Sequence, residues 1–86
     1  MEVIVNRFKS YVTADDLSGA QLFLTGILEE ESIAWDYLYQ KVYIHACLKK
    51  RHKFVEWMNT LFEVLDPIEK IALRQMFSYG RYLLNK

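Results

Sequence analysis

The stretch that decides the fold is HACLKKRHKFVEW, His45 to Trp57, in which a basic run interrupts an apolar and aromatic segment. No glycine or proline lies from Ile33 to Leu65, and lysine and arginine favour helices, so one helix of about 33 residues is allowed. That helix would be about 50 Å long and would require a partner chain. A helical hairpin at about 33–65, with its turn in Lys49–Lys53, needs no partner, and we predict the hairpin.

The continuous helix has one pattern in its favour. Seven positions follow heptad spacing with a single polar member: Ile44, Leu48, Arg51, Val55, Met58, Phe62 and Leu65. The function of the basic run depends on this choice. Only the continuous helix would form a dimer in which the basic runs of two copies make one extended surface.

On both sides of this segment, apolar residues recur at intervals of three and four residues, with few turn-forming residues between them. This spacing predicts an all-α fold, a compact array of four or five short helices in a single domain over residues 1–86. The first ten residues are compatible with a strand or a helix. We expect a helix, because a lone strand would have no pairing partner.

Capping residues predict the helix boundaries. Thr13 is the expected N-cap of a second helix at about 14–30, and Ser32 that of the third. Asp66 and Pro67 are expected to open the last helix, and Gly80 to close it in the left-handed conformation. Gly19 and Gly26, seven residues apart, are expected to allow close packing of another helix.

The composition indicates a folded chain with an unusually apolar surface. Hydrophobic residues make up 52% and aromatic residues 15%, too much for a disordered chain and more than so small a body can bury. Homodimerisation is therefore expected. A single cysteine, Cys47, excludes an intramolecular disulfide and favours a reducing compartment. With no signal-peptide pattern and no apolar run of about 20 residues, we expect a cytoplasmic protein without a membrane partner.

Charge is divided unevenly along a chain whose formal net charge is zero. Residues 1–40 carry two basic and seven acidic residues, whereas residues 41–86 carry nine basic and four acidic residues. This division predicts either a basic binding face or attraction between the halves, within one fold or across a dimer.

Basic residues of the second half are the candidates for contact with nucleic acid, because phosphate contacts depend on lysine and arginine. The set is Lys49, Lys50, Arg51, Lys53, Arg74 and Arg81. The alternative is that the run complements the negative C-terminal end of the third helix and solvates a turn.

Metal binding and catalysis are not predicted. A structural zinc site usually has four ligands, and the chain offers only three candidates: His45, Cys47 and His52. Helix geometry also separates Cys47 from both histidines, so neither is placed to act as the base for its thiolate. Cys47 is expected to be buried. The carboxylates of Glu29–Glu31 diverge around a helix, and no phosphate-binding loop or hydrolase motif occurs. We therefore expect no enzyme, no cofactor and no small-molecule substrate.

Aromatic residues are concentrated between Trp35 and Phe62, and some lie off the apolar face. Exposed aromatics are typical of protein interfaces. Tyr39, Tyr43 and Trp57 are accordingly predicted to form a protein-binding patch.

AWDYLYQKVYIHACLKKRHKFVEWMNTLFEVLDP, Ala34 to Pro67, resembles a tetratricopeptide unit in its aromatic opening, its hairpin length and its closing LDP. It departs from that family where Tyr43, Val55 and Phe62 stand near positions usually held by small residues. The resemblance covers 34 of the 86 residues and implies a helical hairpin that binds proteins.

The function predicted from the sequence is that of a small non-catalytic regulator or adaptor that binds another protein, itself, or both. An accessory protein of a phage or plasmid fits this description. The alternative is a transcriptional or replication regulator that binds nucleic acid through its basic C-terminal half.

Overall fold

The computed structural model describes residues 1–30, 32–63 and 67–86, apart from the side chains at positions 62, 67–69 and 72. These residues form helices and no strand, which confirms the predicted all-α array and the helical start of the chain. The helices are α1 (Glu2–Thr13), α2 (Leu17–Ile27), α3 (Trp35–Leu48), α4 (His52–Glu63) and α5 (Pro67–Leu84).

The predicted hairpin is confirmed, because α3 ends at Leu48 and α4 begins at His52. Lys50 lies in the left-handed region, with a φ of 57°. Its N–H donates to the Cys47 carbonyl at 3.2 Å, and the Arg51 N–H donates to the Ala46 carbonyl at 2.9 Å. This pair of bonds is the Schellman ending of a helix. The continuous helix over the same residues is therefore wrong.

The end of α1 has the same construction. Asp15 has a φ of 56°, its N–H donates to the Val12 carbonyl at 3.0 Å, and the Asp16 N–H donates to the Tyr11 carbonyl at 2.9 Å. The Asp16 side chain then caps α2 by accepting from the Gly19 N–H at 3.0 Å. The prediction of a helix at about 14–30 capped by Thr13 is wrong at both ends, since Thr13 is the last residue of α1 and α2 runs from Leu17 to Ile27.

The remaining boundary predictions have mixed outcomes. Ser32 is not the cap of α3, because Ala34 holds the N-cap position and makes no side-chain capping bond. The start of α5 at Pro67 is confirmed. The capping role predicted for Asp66 lies outside the described residues.

Gly80 does not end α5, which continues to Leu84, and no glycine in the described residues has a positive φ. A Cβ at Gly80 would overlap the ring of Tyr43, with Cδ1 at 3.0 Å, and would lie 3.1 Å from Cys47 Sγ. Close packing of α5 on α3 therefore explains this glycine. Gly19 is also closely approached, whereas Gly26 faces open space, so the predicted packing role of Gly26 is wrong.

Helix α3 lies at the centre of the array and contacts α1, α4 and α5, while α2 packs on α1. The radius of gyration of 12.1 Å matches the value of about 12 Å expected for a compact domain of this length. In the described part of the chain, no helix is both long and apolar enough to cross a membrane. The buried residues include Val5, Phe8, Val12, Leu38, Val42, Tyr43, Ala46, Cys47, Phe54, Val55, Met58, Leu73, Met76 and Leu83.

Candidate protein-binding surface

Two cations of the basic run bind the ends of other helices. Arg51 donates from Nε to the Val12 carbonyl at 3.1 Å and from Nη2 to the Thr13 carbonyl at 2.7 Å, at the end of α1. Lys50 donates from Nζ to the carbonyls of the last two residues of α5. Because helix C-termini carry partial negative charge, these bonds stabilise both ends. The run therefore complements α1 and α5, as well as closing α3.

The other candidates for nucleic-acid contact are exposed. Lys49 lies in the turn after α3, Lys53 is in the first turn of α4, and Arg74 and Arg81 lie seven residues apart on α5. Their spacing places the two arginines near one face of α5. Lys50 is exposed as well, but its ammonium group and the Arg51 guanidinium bind carbonyls within the fold, so two of the six predicted residues are engaged in internal contacts.

The predicted aromatic patch loses Tyr43, which is only 1% exposed. Its ring stacks on Phe77, with centroids 4.7 Å apart, and on Tyr39, with centroids 5.9 Å apart. Tyr39 is half-buried and donates its hydroxyl proton to the Met58 carbonyl. The absence of a side chain at Gly80 lets the Tyr43 ring enter the core, and for this reason Tyr43 is not available to a partner.

Trp57 belongs to a different aromatic cluster. Its ring stacks on Phe8 at 6.1 Å and meets Phe54 edge-on at 6.3 Å. It is half-buried between α1 and α4. The three predicted residues are therefore divided between two internal clusters and do not form one exposed patch.

Titratable groups in the core hold their protons. Burial raises the pKa of Tyr39 and raises that of Tyr43 to about 12. Burial also raises the pKa of Cys47, although a hydrogen bond from Tyr43 opposes the change. Cys47 is buried, as expected, and is held as a thiol in the centre of the fold.

The two histidines are more exposed than Cys47. His45 Nε2 is hydrogen-bonded to Thr13 Oγ1 at 2.9 Å, and His52 is exposed at the start of α4. Across residues 1–30, 32–63 and 67–86, no group of three or more His, Cys, Asp and Glu side chains is arranged to hold a metal ion.

A different apolar surface lies where α3 and α5 meet. Leu48, Tyr79 and Tyr82 are 56%, 54% and 61% exposed. Leu48 and Tyr79 line an open depression of about 320 Å³ together with half-buried Ile44, and the Tyr79 and Tyr82 rings stack with centroids 6.4 Å apart. We call Ile44, Leu48, Tyr79 and Tyr82 the α3–α5 patch.

The sequence carries one signal for this patch. Tyr79 and Tyr82 are three residues apart, so they are neighbours on α5, and Tyr79 lies at the edge of the line formed by buried Met76 and Leu83. Sequence reasoning missed the pair because Gly80 was taken as the end of the helix. Without a continuous α5, the two tyrosines have no common face.

Two lysines and a histidine lie beside the α3–α5 patch. Lys9 of α1 and Lys41 and His45 of α3 line the same depression. The pKa of His45 is lowered, first by burial and then by the positive charges of Lys9, Lys49 and Arg51. The patch therefore has an apolar centre within a region of positive potential.

An apolar depression of about 310 Å³ lies on another side of α3. Its lining includes Trp35, Leu38 and Val42 of α3, and Leu28, which is 57% exposed. Glu29 and Glu30, which follow Leu28, are exposed. We call Leu28–Glu30 the acidic corner.

No protein-family model, no curated protein and no solved structure matches this chain. The tetratricopeptide resemblance is thus limited to the helical hairpin of α3 and α4, which the structure contains.

Proposed function

We propose that this chain is a small non-catalytic regulator or adaptor that binds proteins, including a second copy of itself, through the α3–α5 patch. The observation that carries the proposal is the adjacency of Leu48, Tyr79 and Tyr82, each more than half exposed. Burying apolar surface contributes roughly 25 cal/mol per Å², so a partner that covers these side chains gains free energy. Tyrosine is also among the residues that contribute most at protein interfaces.

The charge around the patch specifies the partner further. Lys9 and Lys41 line the depression beside the apolar centre. A partner surface with acidic groups around an apolar residue matches this arrangement, and charges of opposite sign steer the encounter. The single cysteine, Cys47, which is free and buried, supports action in a reducing compartment such as the cytoplasm.

Affinity capture with paired variants tests the proposal. Leu48→Glu and Tyr79→Glu each place a carboxylate in the α3–α5 patch. The control Leu22→Glu places one at a more exposed leucine, on α2. We expect the native chain and Leu22→Glu to retain a common partner that both patch variants lose, with unchanged far-ultraviolet circular dichroism. Equal retention by all four proteins would contradict the proposal.

The competing hypothesis is nucleic-acid binding. The exposed residues Lys49, Lys53, Arg74 and Arg81 favour it, whereas the bonds that Lys50 and Arg51 make to helix carbonyls weaken it. Non-specific phosphate attraction is strongest at low salt. Binding to random duplex DNA at low salt that is lost in Lys49→Glu/Lys53→Glu would favour this hypothesis, and undetectable binding would exclude it.

A further inference from the structure

We propose that the α3–α5 patch of one copy receives the acidic corner, Leu28–Glu30, of a second copy, so that copies associate head to tail. The inference rests on the proposed protein-binding role of the patch and names its occupant.

The two surfaces are complementary in chemistry. The acidic corner offers one exposed leucine followed by two exposed carboxylates. The α3–α5 patch offers an apolar centre in a depression that Lys9 and Lys41 also line, with the Lys41 ammonium 5.4 Å from the centroid of the Tyr37 ring. Docking places Leu28 against apolar side chains and places Glu29 and Glu30 near the lysines, so the apolar and charged contacts form together.

Position on α3 determines the geometry of association. Leu38 and Val42 line the depression beside the acidic corner, whereas Lys41 and Leu48 line the depression of the patch. At 100° per residue these two pairs lie on different sides of α3. A chain therefore does not dock on its own corner. Contact between unlike surfaces of successive copies is heterologous, and it forms a ring or an open chain.

A contact between two patches is disfavoured by charge. In such a two-fold contact, Lys9 and Lys41 of each copy would approach the same residues of the other copy. The corner-to-patch contact instead brings carboxylates to those lysines. Because a three-residue corner covers far less than the roughly 1,200 Å² of a stable interface, the association is expected to be weak and sensitive to salt.

Two charge-reversed chains test the inference by light scattering at low salt, over a range of concentrations. The patch variant is Lys9→Glu/Lys41→Glu and the corner variant is Glu29→Lys/Glu30→Lys. Glu56→Lys, at an exposed position of α4, is the control. We expect the native chain and the control to associate with rising concentration, and each double variant alone to remain monomeric.

Mixing the two double variants is expected to restore association, because each reversed surface then meets a surface of opposite charge. If the contact joined two patches, the corner variant alone would still associate, and this outcome would overturn the inference. Failure of the mixture to associate would overturn it as well.

Dilution of the native protein, followed by nuclear magnetic resonance, provides a test without substitutions. Amide shifts are expected to change together at Glu29, Glu30, Leu48 and Tyr79. They are expected to remain constant at Val3, which lines neither depression. A chain that is monomeric at millimolar concentration and low salt would refute head-to-tail docking. Loss of a captured partner in Leu48→Glu would still support the proposed function, so the two failures are distinguishable.

Discussion

The turns that follow α1 and α3 have nearly the same backbone but use their side chains differently. Each is closed by a non-glycine residue in the left-handed region, Asp15 with a φ of 56° and Lys50 with a φ of 57°. In the first turn, the following residue, Asp16, caps the next helix along the chain. In the second turn, Lys50 and Arg51 bind carbonyls of α5 and α1, at least 30 residues away in the sequence.

The comparison separates local closure from long-range attachment. The Schellman bonds involve only main-chain groups, so two turns with different side chains form the same pair of bonds. The long cationic side chains of the second turn then connect three helix ends. The second turn also supports the first, because Arg51 binds the carbonyls of Val12 and Thr13, the last two residues of α1.

The largest effect is expected at Arg51. Arg51→Ala removes the bonds to the Val12 and Thr13 carbonyls and should lower the free energy of unfolding by about 2 kcal/mol. Lys53→Ala, an exposed change in the same basic run, should alter it by less than about 0.5 kcal/mol. Urea unfolding of both variants measures the difference, and equal midpoints would show that the attachment to α1 contributes nothing.

Glycine at the two left-handed positions should have opposite effects. Asp15→Gly relieves an unfavourable φ and should raise the free energy of unfolding by about 0.5 kcal/mol. Lys50→Gly relieves the same φ but loses the Nζ bonds to α5, so the net change should be a loss of about 1 kcal/mol. Thermal unfolding of Asp15→Gly and Lys50→Gly shows whether each variant is more or less stable than the native chain. A rise in both midpoints would mean that Lys50 acts only through its backbone.

The smallest effect concerns pH. The folded chain lowers the pKa of His45 from 6.5, so the unfolded chain binds this proton first as the pH falls. The contribution of His45 to stability is therefore fully present above about pH 6.5 and decreases below it. Unfolding free energies measured from pH 7.5 to 5 should fall less steeply for His45→Gln than for the native chain. Parallel curves would remove His45 as a source of the dependence.

Much of the fold could be predicted from the sequence because apolar periodicity reports directly on helices and the basic run interrupts it. The helix ends were harder, because Thr13 and Asp16 are both good capping residues within four positions. Packing decides between them: Val12 is fully buried and Thr13 O accepts from Arg51, so α1 extends through both. No local pattern contains that information.

The candidate site was less predictable for a related reason. The aromatic periodicity of α3 does not reveal that Tyr43 points at a glycine of α5, which is what buries it. Gly80 carries a strong local signal for ending a helix, and the true reason for the glycine lies 37 residues away in the sequence. Only the packed structure joins Tyr79 and Tyr82 to Leu48.

The space left by the missing side chain of Gly80, which we call the notch, also determines how rigid the α3–α5 patch is. With the Tyr43 ring seated in the notch, α5 has a single register on α3, because a slip of one turn, about 5.4 Å, would press a side chain onto the ring. Tyr79 and Tyr82 lie close to Gly80 in α5, so their positions relative to α3 are fixed by the same register. The backbone of the patch is thus preorganised, and the proposed partner would dock as a rigid body with little backbone ordering, so that selectivity would depend on shape complementarity rather than on adaptation.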